Sequence, residues 1–125
     1  MPYEVLLLCS RIPSITPAEF KSYFESKHIP LLQSLSGPYF PTTHTRHYIQ
    51  RPEGDDYRAT VMVGEGFEYD AVCEMSWENE AAFKQYFERV MEPEAAKRIS
   101  DDDQNFVDRS STKVVILGET RITTR

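Results

Sequence analysis

A chain of 125 residues has room for one domain and not for two. Its 40% hydrophobic and 27% charged content is that of a folded globular domain, which excludes disordered, collagen-like and disulfide-miniprotein classes. The net charge of −6 lies wholly in residues 63–125, where fourteen acids face eight bases, so the basic face of a nucleic-acid binder is missing.

The first expected strand covers residues 4–11. Its centre, Val5-Leu6-Leu7-Leu8-Cys9, is the longest apolar run and falls far short of the ~20 residues of a membrane span. Thr16-Pro17-Ala18-Glu19 then has the form of a capping box, with proline at the first helical position. Phe20, Tyr23, Phe24, Leu31, Leu32 and Leu35 follow at helical spacing, and Gly37 in Ser36-Gly37-Pro38 should end that helix. Residues 42–51, rich in β-branched and aromatic types, read as a second strand. Within the loop from Pro52 to Gly66, Ala59-Thr60-Val61-Met62-Val63 is too apolar for free solvation and reads as a short packed strand or a lid. A third strand is expected over 68–77. A helix from Asn79 follows, with the stripe Phe83, Tyr86, Phe87, Val90 and Met91. Pro93 opens a further helical piece, from Glu94 to Gln104, whose run Asp101-Asp102-Asp103 reads as a solvated face. The last strand is expected over 112–120.

The order β-α-β-β-α(α)-β predicts an α+β, ferredoxin-like domain spanning 1–125. It has a four-stranded antiparallel sheet with both main helices on one face. The strands are apolar on both sides, yet one chain has nothing left to cover the second face. A homodimer packing sheet on sheet, a dimeric α+β barrel, is the expected answer. Cys9 and Cys73 lie in apolar strand contexts and read as reduced core thiols. No basic, cleavable leader is visible, so the expected location is the cytoplasm.

The chain resembles the EthD-domain family of dimeric α+β barrel proteins. The resemblance rests on Lys27-His28-Ile29-Pro30-Leu31-Leu32, Thr43-His44-Thr45-Arg46-His47-Tyr48-Ile49 and Phe67-Glu68-Tyr69-Asp70. Further matches are Glu80-Ala81-Ala82-Phe83, Asp103-Gln104-Asn105-Phe106-Val107-Asp108 and Val114-Val115-Ile116-Leu117-Gly118-Glu119. Around His44-Thr45-Arg46 it is most similar to fungal members encoded beside polyketide synthases. That subgroup is assigned as cofactor-free decarboxylases of aromatic polyketide carboxylic acids. Related barrels also perform isomerisations, lactone rearrangements and aldol cyclisations on phenols, so the fold alone does not fix the reaction.

His28 falls on the apolar stripe of the first helix, where two readings stand: a core histidine bonded to backbone, or a pocket residue. The resemblance implies the pocket. His44, Arg46 and Tyr48 alternate along the second strand and project from one face, toward a pocket or onto a solvent-facing edge. Thr45, His47 and Ile49 project the other way, toward the expected partner subunit. On the third strand Asp70, Val72 and Glu74 share a face, and a buried carboxylate there needs a partner such as Arg46 or a histidine. Tyr23, Tyr39, Phe40 and Phe83 suit aromatic pocket walls and suit an ordinary core equally well. Asp108 reads as a structural cap before the last strand.

No GxGxxG, GxxxxGK[ST], Gly-x-Ser-x-Gly or paired CxxC is present. His44 and His47 point to opposite faces, so the residues give no reason to expect a metal or any cofactor. The expected function is thus a cofactor-free decarboxylase of a small aromatic polyketide acid. His28, His44, Tyr48 and Asp70 form the expected catalytic set, with Arg46, Glu74 and the four aromatics binding substrate. Arg46 should grip a phenolate or carbonyl oxygen, because pairing with the carboxylate would stabilise the ground state. The rivals are a cyclase, dehydratase or isomerase on the same residues, and a non-catalytic small-molecule-binding dimer.

Overall fold

Val5, Leu7 and Cys9 alternate with Leu6 and Leu8 along β1 (Tyr3–Cys9), so the two sets must face opposite ways. The computed structural model, which describes Met1–Arg125, sends Val5, Leu7 and Cys9 into the helix-covered core. Leu6 and Leu8 stay half-buried on the bare face. β2 (Thr43–Tyr48), β3 (Ala71–Trp77) and β4 (Lys113–Ile116) complete one sheet in the order β2-β3-β1-β4. Every neighbouring pair is antiparallel. The fold is the expected α+β, ferredoxin-like one.

The capping box forms as the sequence predicts. Thr16 Oγ1 accepts from the Glu19 N–H at 3.1 Å, and the Thr16 N–H donates back to Glu19 Oε1 at 2.9 Å. From it runs α1 (Pro17–Tyr23), but the expected single helix to Ser36 is interrupted by a π turn over Phe24–His28 before α2 (Ile29–Ser36). Pro30 gives the reason. It has no N–H to donate, and its ring crowds the carbonyl four residues back, so the turn before it widens. The Ile29 N–H accordingly reaches the Phe24 carbonyl, five residues away. Gly37, at φ 55°, supplies the left-handed stop, and a 3₁₀ turn (Gly37–Tyr39) leads to β2.

After β3 the chain forms α3 (Glu80–Val90), capped by Asn79 Oδ1 on the Ala82 N–H, and then α4 (Pro93–Asp103). Asp108 accepts from the Ser110 N–H and hydroxyl, and so turns the chain toward β4 as expected. Cys9 and Cys73 are both buried free thiols.

Three expectations need correction. The last strand covers only Lys113–Ile116, not 112–120, with one further bond from the Leu117 N–H to the Glu4 carbonyl. The third begins at Ala71 rather than 68. Residues 59–63 form neither strand nor lid: Ala59 is buried and the Thr60 N–H donates to the Gln50 carbonyl, while Met62 and Val63 stand 94% and 92% exposed.

Candidate functional site

The inner face of the sheet and the helices above it do not close completely. They leave a cavity of about 440 Å³, walled mainly by apolar side chains. Val5, Leu7, Met75 and Trp77 form its floor, Phe24, Leu32, Phe83 and Phe87 its helical walls, and Phe106 a side. His28, His44, Asp103 and Arg109 break this lining, together with the Tyr86 phenol and the Cys9 thiol.

The π turn brings His28 to the cavity. Phe24 and His28 are its buried residues, their rings edge to face at 5.6 Å, and His28 is only 7% exposed. Its Nδ1 lies 2.8 Å from Asp102 Oδ2 on α4. A carboxylate only accepts, so Nδ1 carries the proton and Nε2 is left as the exchangeable position. Asp103 Oδ1 stands 3.6 Å from that Nε2. Burial pushes the Asp103 carboxyl above its ordinary range, against the opposing pull of His28 and Arg109. Tyr23 donates to the other Asp102 oxygen at 2.6 Å and accepts from Asn105 at 3.0 Å, which fixes the carboxylate behind His28.

His44 comes from the strand. Along β2, His44, Arg46 and Tyr48 are half-buried toward the helices, while Thr43, Thr45 and His47 are exposed on the bare face. This is the parity the sequence predicts. Phe40 stacks on the His44 ring at 6.1 Å and Phe24 meets it edge-on. Burial, then the charges of Arg46 and His28, push the His44 imidazole down to about 4, so it is neutral near pH 7. Arg46 Nη1 donates to His44 Nδ1 at 3.1 Å and to the His44 carbonyl at 2.9 Å.

Other expected site residues lie elsewhere. Arg46 does not line the cavity: Glu25 takes its Nε at 2.5 Å and its Nη2 at 3.0 Å. Tyr48 donates to the same carboxylate at 2.5 Å, and burial followed by Glu25 raises its hydroxyl further from ionisation. Asp70 is buried but meets neither histidine. It pairs with Arg11 at 2.6 Å and Arg51 at 2.9 Å, and Arg51 also binds the carbonyls of Tyr57, Phe67 and Tyr69. That cluster anchors the long 49–70 excursion to the end of the sheet. Glu74 projects from the opposite face and pairs with His47 at 2.8 Å. Among the aromatics, Phe83 lines the cavity and Phe40 backs His44. Tyr23 instead holds Asp102, and Tyr39 gives its carbonyl to the Trp77 indole and its ring to Arg89.

Sequence reasoning missed Asp102, Asp103, Phe106 and Arg109. A signal was present: Ile99, Asp102, Asp103 and Phe106 recur at helical spacing, so part of the acidic run belongs to the inward stripe. No three His, Cys, Asp or Glu side chains gather as a metal-ligand set.

Comparison with known proteins adds a family. A family model for the EthD domain matches residues 12–110. An EthD family protein from Bacillus halodurans superposes with a TM-score of 0.60 at 17% identity, covering 94% of this chain and 99% of its own. SnoaB, a cofactor-independent oxygenase from Streptomyces nogalater, gives 0.56 at 12% identity, covering 99% and 98%. A dimeric ferredoxin-like protein from Thermobifida fusca gives 0.54 at 12% identity, covering 95% and 92%. At these identities the structural likeness is one of fold. No curated protein matches the chain.

Proposed function

This chain belongs to the EthD-domain family, and from that premise we propose that it is a cofactor-free decarboxylase of an aromatic polyketide carboxylic acid. The observation that carries the reading is the convergence of His28 and His44 on one apolar cavity, each with Nδ1 held, by a carboxylate in one and a guanidinium in the other, and Nε2 left free. About 440 Å³ suits a fused phenolic ring system, and the aromatic walls suit its faces.

The proton balance follows from the tautomers. His28, protonated at Nε2 and stabilised by Asp102, delivers that proton to the ring carbon bearing the carboxylate. The carbon–carbon bond then breaks, its electron pair returns to the ring, and CO2 departs. Water later restores the proton to His28. Neutral His44 donates its Nε2–H to a phenolic or carbonyl oxygen, where negative charge grows as the ring is disturbed. The apolar floor favours neutral CO2 over the carboxylate it came from, an interaction that gains strength toward the transition state. Arg46, held by Glu25, is kept from stabilising the substrate carboxylate.

The working unit in this reading is a homodimer, sheet against sheet. Support comes from the half-buried Leu6 and Leu8, which lie beside Val72 and Val115 on the face the helices leave bare.

Incubating the protein with aromatic polyketide acids and analysing the products tests the reaction. Release of CO2 with the ring skeleton otherwise intact is expected. Loss of water, an unchanged mass or consumption of O2 would replace decarboxylation by dehydration, isomerisation or cyclisation, or oxygenation. Quenched substrate fluorescence without any product would leave a binding protein.

A further inference from the structure

Arg46 and Glu25 lie outside the cavity wall, yet apart from the Tyr48 hydroxyl on Glu25 their hydrogen bonds bear on His44. Glu25 sits on the π turn and grips the guanidinium through both of its oxygens. That leaves Nη1, which has two N–H bonds. One goes to the His44 carbonyl and fixes the guanidinium against the strand. The other points at the His44 ring at Nδ1. A guanidinium never accepts and does not lose its proton in this pH range, so Nδ1 must keep its lone pair. The only place left for the proton of neutral His44 is Nε2.

We propose that Arg46 is a positioning residue, clamped by Glu25, that locks His44 in the Nε2–H tautomer so that it faces the cavity only as a hydrogen-bond donor. The inference rests on the reading of that cavity as the reaction site for its consequence, but not for its test. The clamp crosses from helix to strand, so it also ties the π turn carrying His28 to the strand carrying His44. The charged and titratable groups facing His44 are Arg46 on its own strand and Glu25 and His28 on the π turn; the rest of its surroundings include Phe24 and Phe40. Of the charges, Arg46 and then His28 oppose protonation of the ring and Glu25 favours it. Removing Arg46 therefore releases both the tautomer and the titration.

Long-range ¹H–¹⁵N spectra of the imidazoles decide the matter on the protein alone. In the unmodified chain, His44 should show a protonated Nε2 and an unprotonated Nδ1. In Arg46→Met the two nitrogens should average between tautomers, and the His44 titration should move up toward the ordinary histidine range of about 6.5. Arg46→Lys keeps one donor and the charge, and should restore most of the Nε2–H form. If a substrate is in hand, Arg46→Met should lower kcat more than it raises KM. A proton on Nδ1 in the unmodified chain would overturn the proposal without any variant having to fold. An unchanged tautomer and titration in Arg46→Met would overturn it as well, leaving burial alone in control. Either spectrum is readable if no aromatic acid turns over, so failure of the clamp and failure of the decarboxylase reading remain separate results.

Discussion

His28 and His44 sit in the same cavity against different neighbours, and in the proposed reaction those neighbours divide the work between them. His28 has a carboxylate at Nδ1, which accepts that nitrogen's proton, whereas His44 has a guanidinium there, which donates to its lone pair. His28→Ala should therefore cut turnover by about 10²–10⁴-fold, the cost of a lost general acid. Asp102→Asn should cut it less, since the ring survives but its tautomer is no longer dictated. Steady-state kinetics at saturating substrate reads both. His44 also leaves a mark on stability. Its folded-state value of about 4 lies below the unfolded value of about 6.5, so between these the unfolded chain binds a proton that the folded chain refuses. Stability is thus lost as pH falls through that window, by an amount on the order of 3 kcal/mol. Asp103 acts with the opposite sign, because its raised carboxyl keeps a proton in the folded chain longer than in the unfolded one. His44→Phe isolates the histidine: urea midpoints at pH 7 and pH 4.5 should differ less in the variant than in the natural chain. Equal differences would mean that the imidazole is hydrated in the folded protein.

At the scale of elements, local signals were legible and their interruptions were not. Thr16 and Glu19 announce the start of α1 because capping is a contact between residues three apart, and the structure makes both bonds. Thr16→Ala should cost about 1 kcal/mol in chemical denaturation. Turnover at room temperature should be untouched, because the cap is far from the cavity lining. Strand parity was legible for the same reason: a period of two put His44, Arg46 and Tyr48 together and His47 opposite. His47→Ala should consequently leave turnover nearly unchanged. The π turn was not legible, although Pro30 marks its place, since helical periodicity continues through it in Phe20, Phe24, Leu31 and Leu32. Nor was the commitment of Arg46 to Glu25. That pair joins residues 21 apart across two elements, and a sequence shows the charges without showing who meets whom. Asp70 went astray in the same manner: burial was expected, but its partners proved to be Arg11 and Arg51.

On the scale of the whole molecule, the unresolved demand is the sheet's bare face. The helices cover one side, where Val5, Cys73, Met75 and Trp77 are buried. Opposite them, Leu6 pairs across to Val115 and Leu8 to Val72, an apolar centre bordered by Thr45, His47 and Glu74. An apolar core inside a polar rim is the anatomy of an association surface rather than of a solvated one. A second copy brings the same patch and the same rim, as a two-fold interface requires. Sedimentation at micromolar concentration should therefore show a species of twice the 14.5 kDa chain. Val115 is the place to break it. It is 44% exposed in the single chain and lies on an edge strand, so a charge there should leave the monomer folded. In the dimer the same charge would be buried against its own symmetry mate or against leucine, without a partner. Val115→Glu should accordingly sediment as a monomer with an unchanged far-ultraviolet spectrum. A natural chain that is monomeric and well folded at micromolar concentration would show that the bare face is satisfied by water, and the sheet-on-sheet arrangement would fall with it.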